Sequence, residues 1–151
     1  MATLVHTVGG YSYPYHKSMA KSCVFEELFD PAVKGVLVQN DVAQLIKIPA
    51  NTWVAGVRWV VEKVEGAARN FGIGDGSGTS SWIATTTGNS LATGFSGPVA
   101  LTEGAPNTVT GYSGGKFYSA DDTIDVLAVT AGGLTTMQLR VFVAAFDLNR
   151  Y

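Results

Sequence analysis

Cysteine is almost missing from this chain. Cys23 is the sole cysteine in 151 residues, so one chain can form no internal disulfide and can assemble no cysteine-based zinc site. Followed by Val24 and Phe25, Cys23 reads as a small buried hydrophobe. Charge is scarce as well: Asp, Glu, Lys and Arg make up 15% of the residues, against an ordinary ~25%. The formal net charge is only −2. With no local Lys/Arg cluster to offset it, the chain carries no electrostatic footprint for nucleic acid. A run of ~20 apolar residues is also lacking, which excludes a helical membrane span. The first ten residues hold neither a basic leader nor a long apolar core, so no secretory signal is expected. The expected site of synthesis is a reducing cytosol, where the chain stays or is assembled into something larger.

Glycine and apolar residues are what the chain has in quantity: 18 glycines, and 46% hydrophobic residues by count. A chain this long buries roughly 68–70% of its unfolded surface in one core without staples. Strand signals begin after residue 21. They run Cys23 to Phe29, stopped by Asp30-Pro31; Gly35 to Val38, stopped by Asn40-Asp41; and Val42 to Ile48, stopped by Pro49-Ala50-Asn51. The longest run is Thr52 to Val64, whose apolar residues on both faces predict a central strand covered on each side. Asn70 to Ile73 and Trp82 to Thr87 flank a Gly-rich stretch, and 88–116 reads as a long ordered loop or a pair of poorly patterned edge strands.

The last third predicts two long strands around a Gly132-Gly133 turn, Thr123 to Thr130 and Thr136 to Leu148. Within the second, Met137, Leu139, Val141, Val143 and Ala145 share one face, with Gln138, Arg140 and Phe142 on the other. The only places for a short helix are Pro31-Ala32-Val33 and Gly66-Ala67-Ala68-Arg69. Many short strands with regular turns and almost no helix predict an all-β single-domain sandwich of jelly-roll type over residues 22–151.

Residues 1–21 are different. Tyr11, Tyr13 and Tyr15 alternate among Gly9-Gly10, Pro14, His16, Lys17 and Lys21 with no sustained period behind them, which predicts an extended N-terminal arm. Alternate tyrosines place their rings on one side of an extended segment, suited to lying across a partner or back over the arm's own domain.

Nothing in the chain is patterned for catalysis. Gly111-Tyr112-Ser113-Gly114-Gly115 matches Gly-x-Ser-x-Gly, but both histidines, His6 and His16, lie far upstream and loop and strand follow the serine. The stretch Gly72 to Gly78 lacks the Lys-Ser/Thr and helix of a phosphate loop, and Asp75 alone cannot make a calcium loop. Asp121, Asp122 and Asp125 form the densest acidic cluster, yet Asp121-Asp122 sits where a turn enters a strand and such residues satisfy backbone amides. The tryptophans Trp53, Trp59 and Trp82 lie in or beside strand patterns as core or sheet-face residues, not around a sugar cleft. No catalytic, cofactor or metal site is expected.

Four runs carry a resemblance: Ile48 to Val57, Phe71 to Gly76, Gly115 to Val126 and Leu134 to Leu148. Together they resemble small structural proteins of tailed-bacteriophage particles, most closely head decoration or cement proteins with a β-sandwich domain; the resemblance covers roughly residues 45–148. It implies a protein of the virion surface, assembled in the host cytoplasm, that binds the major capsid protein of the expanded head and forms a homotrimer. The contact arm is then expected to be Tyr11, Tyr13, Tyr15, His16, Lys17 and Lys21. The alternative is a receptor- or glycan-binding module of a fibre or tail, with Tyr112 and Phe95 as aromatic platforms. A hydrolase ranks behind both.

Overall fold

A computed structural model describes residues 21–76, 78–88, 93–96 and 115–148. Among them are nine strands, here β1 (Lys21–Phe29), β2 (Val42–Ile48), β3 (Thr52–Lys63), β4 (Asn70–Asp75), β5 (Gly78–Thr87), β6 (Thr93–Ser96), β7 (Lys116–Tyr118), β8 (Asp122–Ala128) and β9 (Gln138–Asp147). The single helical turn described, α1, spans Pro31–Lys34. Asp30 caps it by accepting from the Ala32 N–H at 2.9 Å, Pro31 occupies its first turn and Gly35 ends it at φ +97°. The other place expected to allow a helix, Gly66 to Arg69, is bend and coil.

The first sheet runs β1-β9-β3-β6, with β7 also paired to β3, and the second runs β2-β8-β4-β5. Every pairing between these strands is antiparallel. The order has a simple origin. The chain folds back on itself so that β1 meets β9, β2 meets β8, β3 meets β6 and β7, and β4 meets β5. Successive pairs then fall alternately into the two sheets, which is jelly-roll connectivity. The expected all-β sandwich is therefore what the chain adopts.

The core lies between the sheets. Val54, Val57, Trp59, Leu139, Val141 and Val143 come from the first sheet, and Ile48, Phe71, Ile73, Trp82, Ile124 and Val126 from the second, all at most 1% exposed. Trp59 and Phe71 meet across it edge to face, ring centroids 5.4 Å apart, a geometry that places a ring's positive edge on its neighbour's negative face. The inner face expected for β9 is the observed one, with Met137, Leu139, Val141, Val143 and Ala145 all buried.

Several expectations are corrected. The two strands around Gly132-Gly133 do not pair: β8 belongs to the second sheet and β9 to the first. The turn crosses from one sheet to the other. Gly133 there adopts φ +65°, and a Cβ on it would stand 1.8 Å from the Leu37 carbonyl oxygen, so only glycine admits the Leu37–Leu134 bridge. That single bridge is what becomes of the strand expected at Gly35 to Val38. β3 is central in hydrogen bonding, but it is covered on one face only: Trp53, Arg58, Glu62 and Lys63 are exposed. A bulge opposite Ala144 and Ala145 inserts one extra residue, so the inward set passes from Thr52 and Val54 to Val57, Trp59 and Val61. Cys23 is half-buried rather than buried; it packs against the core, and its thiol donates to the Ala145 carbonyl at 3.6 Å. The strand expected at Asn70 to Ile73 runs on through Gly74 and Asp75, and Asp75 points inward at the end of β4 instead of standing in a loop.

Candidate functional site

Polar side chains concentrate at one end of the sandwich, where β4 and β5 of one sheet face β7 of the other. The Trp82 indole N–H donates to the Tyr118 hydroxyl at 2.9 Å, and that hydroxyl donates to Asp75 Oδ2 at 2.6 Å. Lys116 Nζ donates to the same oxygen at 2.8 Å and lies 4.6 Å from the centre of the Tyr118 ring. The Ser81 hydroxyl sits 3.2 Å from Asp75 Oδ1 and 2.7 Å from the Gly78 carbonyl. Burial, followed by the hydrogen bond to Asp75, drives the Tyr118 phenol far above its ordinary range, so it stays protonated as a donor. This is a closed chain of donors and acceptors that pins the two sheets together. Tyr118→Phe should leave the Trp82 N–H and the Asp75 carboxylate short of a partner and lower stability by about 3 kcal/mol. A fall in denaturant midpoint at unchanged slope would measure it.

In the acidic cluster beside it, Asp121 and Asp122 serve the backbone, as their position at a turn predicted. Asp121 accepts from the Ala50 N–H at 2.9 Å and pairs with Lys47 at 3.0 Å; the hydrogen bond first, then the lysine, hold its carboxyl below the ordinary value. Asp122 Oδ1 accepts from Gly76 at 3.2 Å and from Thr123 at 2.8 Å. Asp125 is buried, which pushes its carboxyl up, and the carboxylates of Asp122 and Asp75 add to the effect against a hydrogen bond from Thr123. Two shallow depressions flank this cluster, of about 290 Å³ beside Gln44 and Lys47 and about 170 Å³ beside Phe117 and Ser119. The first lies at the lower edge of the roughly 300–1,000 Å³ of small-molecule sites and the second below it. Among the described residues, no group of three or more His, Cys, Asp or Glu is placed to hold a metal ion.

The arm residues Tyr11, Tyr13, Tyr15, His16 and Lys17 lie outside the described residues, as do His6, Tyr112 and Ser113. Lys21 opens β1, with its Cα opposite Asp147. Phe95 lies in β6, with its Cα opposite Arg58.

The outer face of the first sheet carries a row of aromatic side chains that periodicity did not reveal. Phe146 of β9 pairs with Trp53 of β3, and Trp53 pairs with Phe117 of β7. They are 39%, 37% and 44% exposed, and Val24 of β1, beside Ala144, is 70% exposed. At the other end of this face Arg140 donates to Glu62 at 2.5 Å and to Glu26 at 2.6 Å. Sequence reasoning missed Trp53 because the bulge in β3 turns it outward while Trp59, an even number of positions on, points inward.

No protein-family model and no curated protein sequence matches the chain. Solved structures do. Each of the three described below comes from a phage capsid. A chain of the acidic stable capsid structure of Helicobacter pylori bacteriophage KHP30 superposes with a TM-score of 0.58 at 11% identity, over 87% of this chain and 91% of that one. A chain of the cyanophage Pam1 capsid asymmetric unit gives 0.58 at 14% identity, over 85% and 86%. A chain of the capsid of Ralstonia phage GP4 gives 0.50 at 13% identity, over 85% and 84%. At such identities the likeness is one of fold, and it takes in nearly the whole of each partner.

Proposed function

We propose that this chain is a structural protein of a phage virion, specifically a decoration protein. It binds the outside of the expanded head and stabilises junctions between major capsid subunits. The observation that carries this reading is the likeness of its jelly-roll sandwich, over 85–87% of the chain, to chains of three phage capsids. The character of the polar groups supports it: buried Asp75, Tyr118 and Glu65 are engaged in holding turns and sheets, a disposition suited to contact. Residues 1–20 form the arm that reaches the shell, with Tyr11, Tyr13 and Tyr15 as anchors, His16 and Lys17 beside them, and Lys21 at its base where β1 begins. Copies close as a homotrimer, so that identical arms surround one axis and weak contacts add through multivalency.

Cosedimentation with purified expanded shells of the virus that encodes the chain tests this. The protein should pellet with the shells, and joint replacement of Tyr11, Tyr13 and Tyr15 by Ser should weaken binding at least about tenfold, the loss typical of removing aromatic anchors. Binding unchanged in that variant would overturn the role of the arm. Failure of the unmodified protein to bind, with density for it on a tail or fibre in images of the virion, would overturn decoration in favour of receptor binding.

A further inference from the structure

We propose that Lys116 and Asp75 are the two ends of a self-formed isopeptide bond, an amide between Lys116 Nζ and the Asp75 carboxyl that ties the two sheets together covalently. Lys116 opens β7 in the first sheet and Asp75 ends β4 in the second, so the bond joins strands that share no main-chain ladder. A disulfide cannot do this in a chain with one cysteine. Among the described residues, three lysine–carboxylate pairs differ sharply in their surroundings. Lys34–Glu27 and Lys47–Asp121 each meet at 3.0 Å through side chains 36–71% exposed, where water supports both charges and the pair stays ionic. In Lys116–Asp75, at 2.8 Å, the lysine side chain is 19% exposed and the aspartate 0%. Burial penalises the two charges there, and passing one proton from Nζ to Oδ2 leaves a neutral amine against a neutral carboxylic acid. That is a nucleophile in contact with its electrophile.

The groups around the pair are those that amide formation needs. A small turn of the lysine chain carries Nζ from Oδ2 to a position over Cγ, at the roughly 3–3.5 Å of a near-attack geometry. As the Nζ–Cγ bond forms, negative charge builds on Oδ1, and the Ser81 hydroxyl stands 3.2 Å from that atom, placed to donate to it. The Tyr118 hydroxyl lies 2.6 Å from Oδ2 and is held there by the Trp82 indole N–H at 2.9 Å. Burial and the hydrogen bond to Asp75 keep this phenol protonated, so it gives a proton to Oδ2 as it takes one from Nζ. The Cγ–Oδ2 bond then breaks, Oδ2 departs as water and Oδ1 remains as the amide oxygen. One ammonium and one carboxylate thereby become one amide and one water, with no other reactant consumed and no change of oxidation state. A depression of about 170 Å³ bordered by Lys116 and Tyr118 gives the water its way out.

The test is the mass of the intact chain. Full-length protein, purified folded, incubated at neutral pH and then denatured for mass spectrometry, should weigh about 18 Da less than its sequence, the mass of one water. Trypsin should then fail to cleave after Lys116 and should release a branched peptide joining the segment that holds Asp75 to the segment that holds Lys116. Lys116→Arg should keep its full mass. Folded wild-type protein at full sequence mass overturns the proposal whatever the variant does, so the outcome does not depend on the variant's folding. The Asp75-Gly76 step can also lose water, as a succinimide within its own backbone. A loss of about 18 Da that persists in Lys116→Arg, or that leaves cleavage after Lys116 intact, assigns the change to that step and overturns the cross-link.

Discussion

Val141→Asp should yield no folded protein. Val141 is fully buried in the middle of β9, and β9 is hydrogen-bonded on both sides, with Val141 opposite Glu27 in β1 and Trp59 in β3. The strand cannot rotate the new side chain outward, because a one-residue slip would turn its whole inner set, Leu139 to Ala145, toward solvent. An aspartate there has no partner and must be buried charged or protonated. Either costs several kcal/mol, a large share of the 5–15 kcal/mol that holds a domain together. Ala144→Asp, on the exposed side of the same strand, should fold normally. Circular dichroism and solubility decide the matter. A soluble Val141→Asp protein with cooperative melting would show that the faces of β9 have been assigned the wrong way round.

That strand also shows how far the sequence could be read. Its inner face was legible because one period, uninterrupted from Met137 to Ala145, matches one buried surface. β2 was equally plain, closing at turns where Asn40 and Asn51 take left-handed backbone, as asparagine readily does. What was not legible is whatever depends on a partner strand. Nothing around Gly132-Gly133 says whether the flanking strands pair or part; here they part, because β8 finds β2 and β4 while β9 finds β1 and β3. A bulge is equally silent, since the extra residue exists only relative to the neighbouring register. Trp53 and Phe146 were for that reason not identified as an outward row. The arm, by contrast, was read from composition and placement alone.

Glu65 was legible only as a residue next to a possible short helix, because its partners are about 70 positions away. It should prove one of the strongest polar determinants of stability. Its Oε2 accepts from the N–H groups of Thr135, Thr136 and Met137 at 2.9, 3.1 and 3.0 Å, and its Oε1 from the Thr135 and Thr136 hydroxyls at 2.5 and 3.2 Å. One carboxylate thereby fixes the segment that leads into β9. Burial opposes ionisation, but these hydrogen bonds outweigh it and lower the carboxyl from 4.5 to about 2. At ~1.4 kcal/mol per pH unit, the difference between folded and unfolded values is worth about 3 kcal/mol. The folded value is the depressed one. The contribution is therefore complete above about pH 4.5 and is lost as the pH falls toward 2. Glu65→Gln preserves shape and some hydrogen bonding while removing the charge. It should lower stability by about 3 kcal/mol at pH 7, or roughly 6–12 °C in melting temperature for a chain of this size. The gap between the two proteins should then close as both are titrated from pH 5 to pH 2. Asp125, whose raised carboxyl acts in the opposite sense, is common to both and drops out of the difference. A gap that stays constant over that range would mean that Glu65 acts through packing and hydrogen bonds alone, with its charge contributing nothing.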